Sequence, residues 1–206
     1  MKNSFSSDSP ERLRFHCFDT ALGACGIAWG EHGVIGSQLP EESTGATRDR
    51  MRVRFAQALE VAAQDVPPSV QAAIQAIQRL LAGETADTQE LLAVQLDERA
   101  LPPFDVQVLA LTRQIPVGQT LSYGEVATRL GKPGAARAVG RAEGHNPFAP
   151  IVPCHRVLAA AGGFNGGQGG FSAHGGVATK RLLLMIEARA SGQAVAEQQS
   201  LFDPQA

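Results

Sequence analysis

A cysteine and a histidine stand side by side in Pro153-Cys154-His155-Arg156-Val157. The apolar run Phe148-Ala149-Pro150-Ile151-Val152 precedes them, and a segment dense in glycine follows. A thiol attacks carbon as the thiolate, and a neighbouring base or cation makes the thiolate available near neutral pH. The pattern therefore points to nucleophilic chemistry at Cys154. The opposing reading is a small buried hydrophobe, because free cysteine is among the most buried residue types. What decides between them is the company Cys154 keeps along the chain.

The chain has 206 residues, 44% hydrophobic and 18% charged. That length allows one large domain or two small ones, and the composition is that of an ordinary globular protein. No apolar run approaches the length needed to span a bilayer. The polar start Met1-Lys2-Asn3-Ser4-Phe5-Ser6-Ser7-Asp8 lacks the apolar core of a signal peptide. Three cysteines argue against a disulfide framework and for a reducing compartment, so a cytoplasmic protein is expected. Charge is uneven. Residues 1–100 carry nine basic and fourteen acidic side chains, residues 101–190 nine and four, and residues 191–206 none and two. A basic second half beside an acidic first half suits a phosphate-binding module joined to a scaffold.

The first hundred residues predict a small α+β unit. Strands are expected over 13–18, 24–29 and 33–39, separated by glycine-containing turns. Helical periodicity follows over 47–63, with Met51, Phe55 and Leu59 on one face, and again over 70–81, ending at Gly83. Another strand is expected over 91–96. Arg48, Arg50, Arg52 and Arg54 read as a solvated face beside Asp49 and Glu60. His16, Cys17, Cys25 and His32 fit no zinc-ligand spacing, so neither a metal nor a cofactor is expected.

Pro102-Pro103 marks the boundary to the second half. Helices are predicted over 104–113, over 122–130 behind a Ser122/Glu125 capping box, over 135–142, and over 177–189. Two helices joined by Gly131-Lys132-Pro133-Gly134, the second carrying Arg137 and Arg141, form a helix-turn-helix pattern. The second helix is mostly Ala and Gly. It can lie close to a sugar-phosphate backbone but has little with which to read base edges. Two ordinary packed helices would give the same pattern.

Ile115-Pro116-Val117-Gly118-Gln119-Thr120, Ser122-Tyr123-Gly124-Glu125, Ala135-Ala136-Arg137-Ala138-Val139-Gly140, Asn146-Pro147 and Pro153-Cys154-His155-Arg156-Val157 occur in this order. Over about residues 102–188 the chain resembles the catalytic domain of O6-alkylguanine-DNA alkyltransferases. The resemblance implies a ribonuclease-H-like N-terminal domain over 1–100 and a winged helix-turn-helix catalytic domain over 101–190; the polar composition of 191–206 predicts a mobile tail. The resemblance also implies direct-reversal DNA repair, with irreversible transfer of an alkyl group from O6 of guanine to Cys154. O4-alkylthymine is a candidate second substrate. By the same resemblance His155 is the base, acting through a water, Glu187 orients it, and Asn146 braces the turn. Tyr123 bonds the guanine N3, and Arg137 fills the gap left by the flipped nucleotide. Ser172 contacts the base, and Arg156 is placed with the substrate- and DNA-binding residues. Flipping is a geometric necessity, because a stacked base hides its reacting atom.

Two segments depart from that family. The glycine-rich stretch 162–176 is longer and is expected to form a lid over the guanine pocket. Glu143-Gly144-His145 adds a carboxylate, expected near DNA phosphates, where it would weaken affinity modestly. The tail sequence around Gln198, Leu201 and Phe202 resembles a sliding-clamp docking peptide. A monomer is expected. A non-catalytic sensor of alkylated DNA with a similar fold is the alternative, but such relatives lack the cysteine. A thiol redox protein would need neither Arg137 nor Tyr123.

Overall fold

The computed structural model of the chain describes residues 12–160 and 170–192. Strands β1 (Arg14–Thr20), β2 (Gly23–Gly30) and β3 (Gly33–Gln38) form an antiparallel meander joined by tight turns. Helix α1 (Thr44–Arg54) starts at Ser43, whose side chain accepts from the Ala46 amide. It leads to the two-residue strand β4 (Leu59–Glu60), which pairs parallel with β1 and completes the order β3-β2-β1-β4. Helix α2 (Pro68–Ala82) follows, with proline in its first turn and Gly83 in the left-handed conformation at its end.

The two faces of the sheet bury different residues because side chains alternate along a strand. Phe15 and Ala28 pack with Met51 of α1, whereas Phe18, Cys25, Ile27 and Trp29 join the apolar stripe of α2. The latter cluster also takes in Leu109, Val117, Phe148, Ile151, Val152 and Leu183. One core thus extends from the sheet to the segment carrying Cys154.

Two expectations for this half differ from what forms. The helix predicted over 47–63 stops at Phe55. Beyond it the chain is drawn to the sheet edge, where Leu59 and Val61 donate their amides to Leu13 O and Phe15 O at 3.0 Å. Sheet pairing outweighs the helix propensity of this alanine-rich stretch. Instead of a strand over 91–96, there is a helical turn α3 (Gln89–Leu92) with Leu91 buried. Only Leu96 then bridges to β3, at Val34.

The second half is mainly helical: α4 (Pro103–Arg113), α5 (Tyr123–Arg129), α6 (Ala136–Gly144) and α7 (Val177–Ala190). The Ser122/Glu125 capping box forms with both reciprocal bonds, fixing the start of α5 at Tyr123. Strand β5 (Leu121–Ser122) lies immediately before it and pairs parallel with β6 (Val157–Leu158). This register matters. β5 ends at Ser122, just before Tyr123, and β6 begins just after Arg156, so one short ladder ties the tyrosine to the cysteine turn.

The sheet also braces that turn. Ser37 donates its amide to Pro147 O at 2.8 Å and its hydroxyl to Ala149 O at 2.8 Å. Arg54 reaches Ser37 O at 3.0 Å and Pro147 O at 3.3 Å. The approach requires glycine at position 36, where a Cβ would collide with the Phe55 ring and lie 3.0 Å from Pro147 O.

Candidate active site

Cys154 opens a single 3-10 turn, Cys154–Arg156, and all three of its residues are buried. Asn146 holds the loop before it. Its Nδ2 donates to Val152 O at 2.8 Å, and its Oδ1 accepts from the Phe148 amide at 2.9 Å. One side chain therefore bridges both ends of the segment that presents the sulfur.

Behind the turn lies a buried ionic cluster. Glu187, on α7, accepts from His155 Nε2 at 2.7 Å and from Arg156 Nε and Nη2 at 2.9 and 2.8 Å. Burial alone would raise the Glu187 carboxyl, but the charges and hydrogen bonds of His155 and Arg156 outweigh it and pull it down to about 2. An ionised carboxylate can only accept, so Nε2 of His155 carries the proton and Nδ1 keeps its lone pair. Nδ1 is buried and has no partner among the described residues. Burial also lowers the His155 pKa, keeping the imidazole neutral beside the Arg156–Glu187 ion pair. A neutral imidazole with its basic nitrogen free is a proton acceptor.

Arg156 is not where it was expected. It is 1% exposed, and its guanidinium engages Glu187 and the Ile115 carbonyl. It holds Glu187 in place and is shut away from solvent. The sequence misled because an arginine beside a cysteine reads as a surface cation.

In front of the turn is a cavity of about 650 Å³ lined by Tyr123, Arg137, Glu143, Cys154, Phe171 and Ser172, among others. Arg137 and Ser172 are exposed at its edge, and Tyr123 is half-buried. The structure thus brings Cys154, Tyr123, Arg137 and Ser172 to one cavity, and places His155 and Glu187 behind it. Residues 161–169 of the glycine-rich stretch lie outside the described residues, as do Gln198, Leu201 and Phe202.

The Cys154 thiol is pushed up to about 12, first by burial and then by the Glu143 charge, against lowering by Asn146 and Lys180. The resting sulfur is a thiol. A nucleophile held in that form needs a base to take its proton as it reacts, rather than a standing thiolate.

Two residues of this site were missed in the sequence. Lys180 is 1% exposed and donates to Val157 O at 2.7 Å. Burial lowers its pKa to about 8. Glu143, expected near phosphates, is instead 4% exposed and accepts a hydrogen bond from Thr112. Helical spacing held the signal for both. Val139, Ala142 and Glu143 share one face of α6, and Lys180, Leu183, Leu184 and Glu187 share one of α7.

A buried cysteine turn, a buried His–Glu pair and a helix-lined cavity together form a candidate site for cysteine-dependent group transfer. Residues 103–197 match the family model described as "6-O-methylguanine DNA methyltransferase, DNA binding domain". The methylated-DNA–protein-cysteine methyltransferase of Mycobacterium tuberculosis is 43% identical over 121 residues, covering 59% of this chain and 67% of that protein. That of Shigella flexneri is 49% identical over 85 residues, 41% of this chain and 46% of that protein. Among solved structures, Mycobacterium tuberculosis OGT in complex with DNA aligns with a TM-score of 0.64 at 31% identity, covering 92% of this chain and 99% of that one. The chain belongs to the methylated-DNA–protein-cysteine methyltransferase family.

Proposed function

We propose that the chain repairs alkylated DNA directly, moving the alkyl group from O6 of a flipped guanine to Cys154 in one irreversible step. The observation that carries this reading is Cys154 lining the cavity, followed in the same buried turn by His155, whose Nδ1 has no partner among the described residues. His155 takes the thiol proton, relayed by a water, while Glu187 holds the imidazole and Arg156 holds Glu187. The S–C bond forms as the C–O6 bond breaks, and the electron pair passes to the purine. Tyr123 hydrogen-bonds N3 and stabilises that anion. The proton lost by sulfur balances the one gained by the released guanine. A thioether has no exit from this site, so each molecule acts once. Mixing the protein with excess O6-methylguanine duplex tests this: removal stops at one lesion per protein, and continued removal would contradict it.

Residues 1–100 form the ribonuclease-H-like scaffold in this reading, supported by the meander, helix and parallel fourth strand. Residues 101–190 form the winged helix-turn-helix unit, supported by α4, α5 and α6 and the β5–β6 ladder. Double-stranded DNA lies along α6. Arg137 fills the gap in the stack, and Ser172 meets the base. Arg137→Ala therefore slows transfer from duplex DNA at least tenfold more than transfer from free O6-benzylguanine, which needs no flipping (on the order of a few kcal/mol of unstacking is involved). Equal loss on both substrates would remove Arg137 from that role.

The protein acts as a monomer in the cytoplasm, with O4-alkylthymine as a second substrate. No helix among the described residues is long and apolar enough to cross a membrane. Gln198, Leu201 and Phe202 dock on the replication sliding clamp, a reading carried by sequence. Deleting 198–206 abolishes co-elution with the clamp; unchanged co-elution would end it.

A further inference from the structure

Glu143 is a carboxylate built into the wall of the base cavity. It comes from the last turn of α6, is 4% exposed, and lines the same cavity as Tyr123 and Cys154. Thr112 of α4 donates to its Oε1, while Oε2 is buried with no partner among the described residues. The titratable groups coupled to it are Tyr123 from α5, Cys154 from the 3-10 turn and Lys180 from α7. An ionised carboxylate with one unsatisfied oxygen is costly in such a place, whereas the neutral acid is tolerated. Its charge also bears directly on the sulfur, because a negative neighbour opposes formation of a second negative group.

We propose that Glu143 is a positioning residue for alkyl transfer: the reaction proceeds with Glu143 as the neutral acid and slows when Glu143 ionises. The inference rests on Cys154 being the alkyl acceptor. During transfer the thiol proton leaves to His155 and negative charge builds on sulfur, then on the purine. A neutral Glu143 leaves that charge unopposed, and Lys180 supports it. A charged Glu143 raises the cost of both stages. Burial pushes Glu143 up to about 7, against lowering by Thr112 and Lys180, so its charge changes near neutrality. The sign follows. Below that pH the acid form prevails and transfer is unhindered; above it the carboxylate form prevails and transfer slows. Lys180, at about 8, loses its charge over the upper part of the same range, adding to the loss in the unmodified protein.

The test is single-turnover transfer from an O6-methylguanine duplex between about pH 6 and about pH 8.5, a span that brackets these titrations. The proteins compared are the unmodified chain, Glu143→Gln and Thr112→Val. Gln keeps the shape and cannot ionise. The ratio of its rate to that of the unmodified chain should rise on the order of tenfold across this range, the effect of one unit in thiol pKa. Thr112→Val keeps the carboxylate but removes the bond that favours its charged form, so the break in the profile moves to higher pH. This second variant carries the test if Glu143→Gln does not fold. A rate ratio independent of pH, or a Thr112→Val break that does not move, overturns the proposal. Label found away from Cys154 in the unmodified chain instead overturns the reading of the nucleophile, so the two failures are told apart.

Discussion

Replacing Cys154 by Ala is expected to abolish alkyl transfer while leaving DNA association in place. The sulfur is the atom to which the new bond forms, and the described residues bring no other thiol to the cavity. Cys25 is buried in the sheet core and Cys17 lies on β1. Neither lines the cavity or stands beside His155, so neither can substitute. Loss of a covalent nucleophile costs on the order of 10⁶-fold in rate elsewhere, which places Cys154→Ala at background. The fold should survive, because the exchange removes one atom from a turn held by Asn146 and the β5–β6 ladder. Gel-shift binding to an O6-methylguanine duplex, run beside transfer assays, separates the two properties. Residual transfer by Cys154→Ala would show a different acceptor.

Glu187→Ala is expected to have the largest effect on stability. It leaves the Arg156 guanidinium buried without its counter-charge and His155 without its partner. Breaking a buried ion pair from one side costs about 3–5 kcal/mol. At roughly 2–4 °C per kcal/mol for a chain of this size, the melting temperature should fall by about 6–20 °C. Acid reveals the same interaction in the unmodified protein. The Glu187 carboxyl is depressed to about 2, so its contribution is complete above the ordinary glutamate range near pH 4.3. It is lost as pH falls toward about 2. His155, whose pKa is lowered, adds a further loss on acidification below its ordinary range, because the unfolded chain binds that proton more readily. The stability gap between the unmodified chain and Glu187→Ala should therefore shrink on acidification, which thermal melts from neutral pH downward would measure. A gap that does not change with pH would show that Glu187 contributes through packing alone.

Much of the site could be read in the sequence because short-range rules set it. Ser122 and Glu125 announced the start of α5, and that start is what places Tyr123 on the cavity. Glu187 came from the family resemblance alone, and α7 does bury it on the face it shares with Leu183 and Leu184. What could not be read depended on tertiary competition. Residues 56–63 look helical, and only the sheet edge, invisible locally, pulls them into β4 and a 3-10 turn. Arg156 and Glu143 are charged, and charged side chains are rarely buried without partners. Their partners, Glu187 and Thr112, lie 31 residues away in each case. The expected placement of both side chains at the DNA surface was wrong for that reason, and the correction reassigns Arg156 from binding DNA to holding Glu187.

The alkyl group is expected to end on Cys154. The direct measurement is peptide mapping by mass spectrometry after one round with an O6-methylguanine duplex. A single methyl on the peptide containing Cys154, with Cys17 and Cys25 unmodified and one lesion removed per protein, is the expected result. Repair of the lesion with Cys154 unmodified would contradict the account.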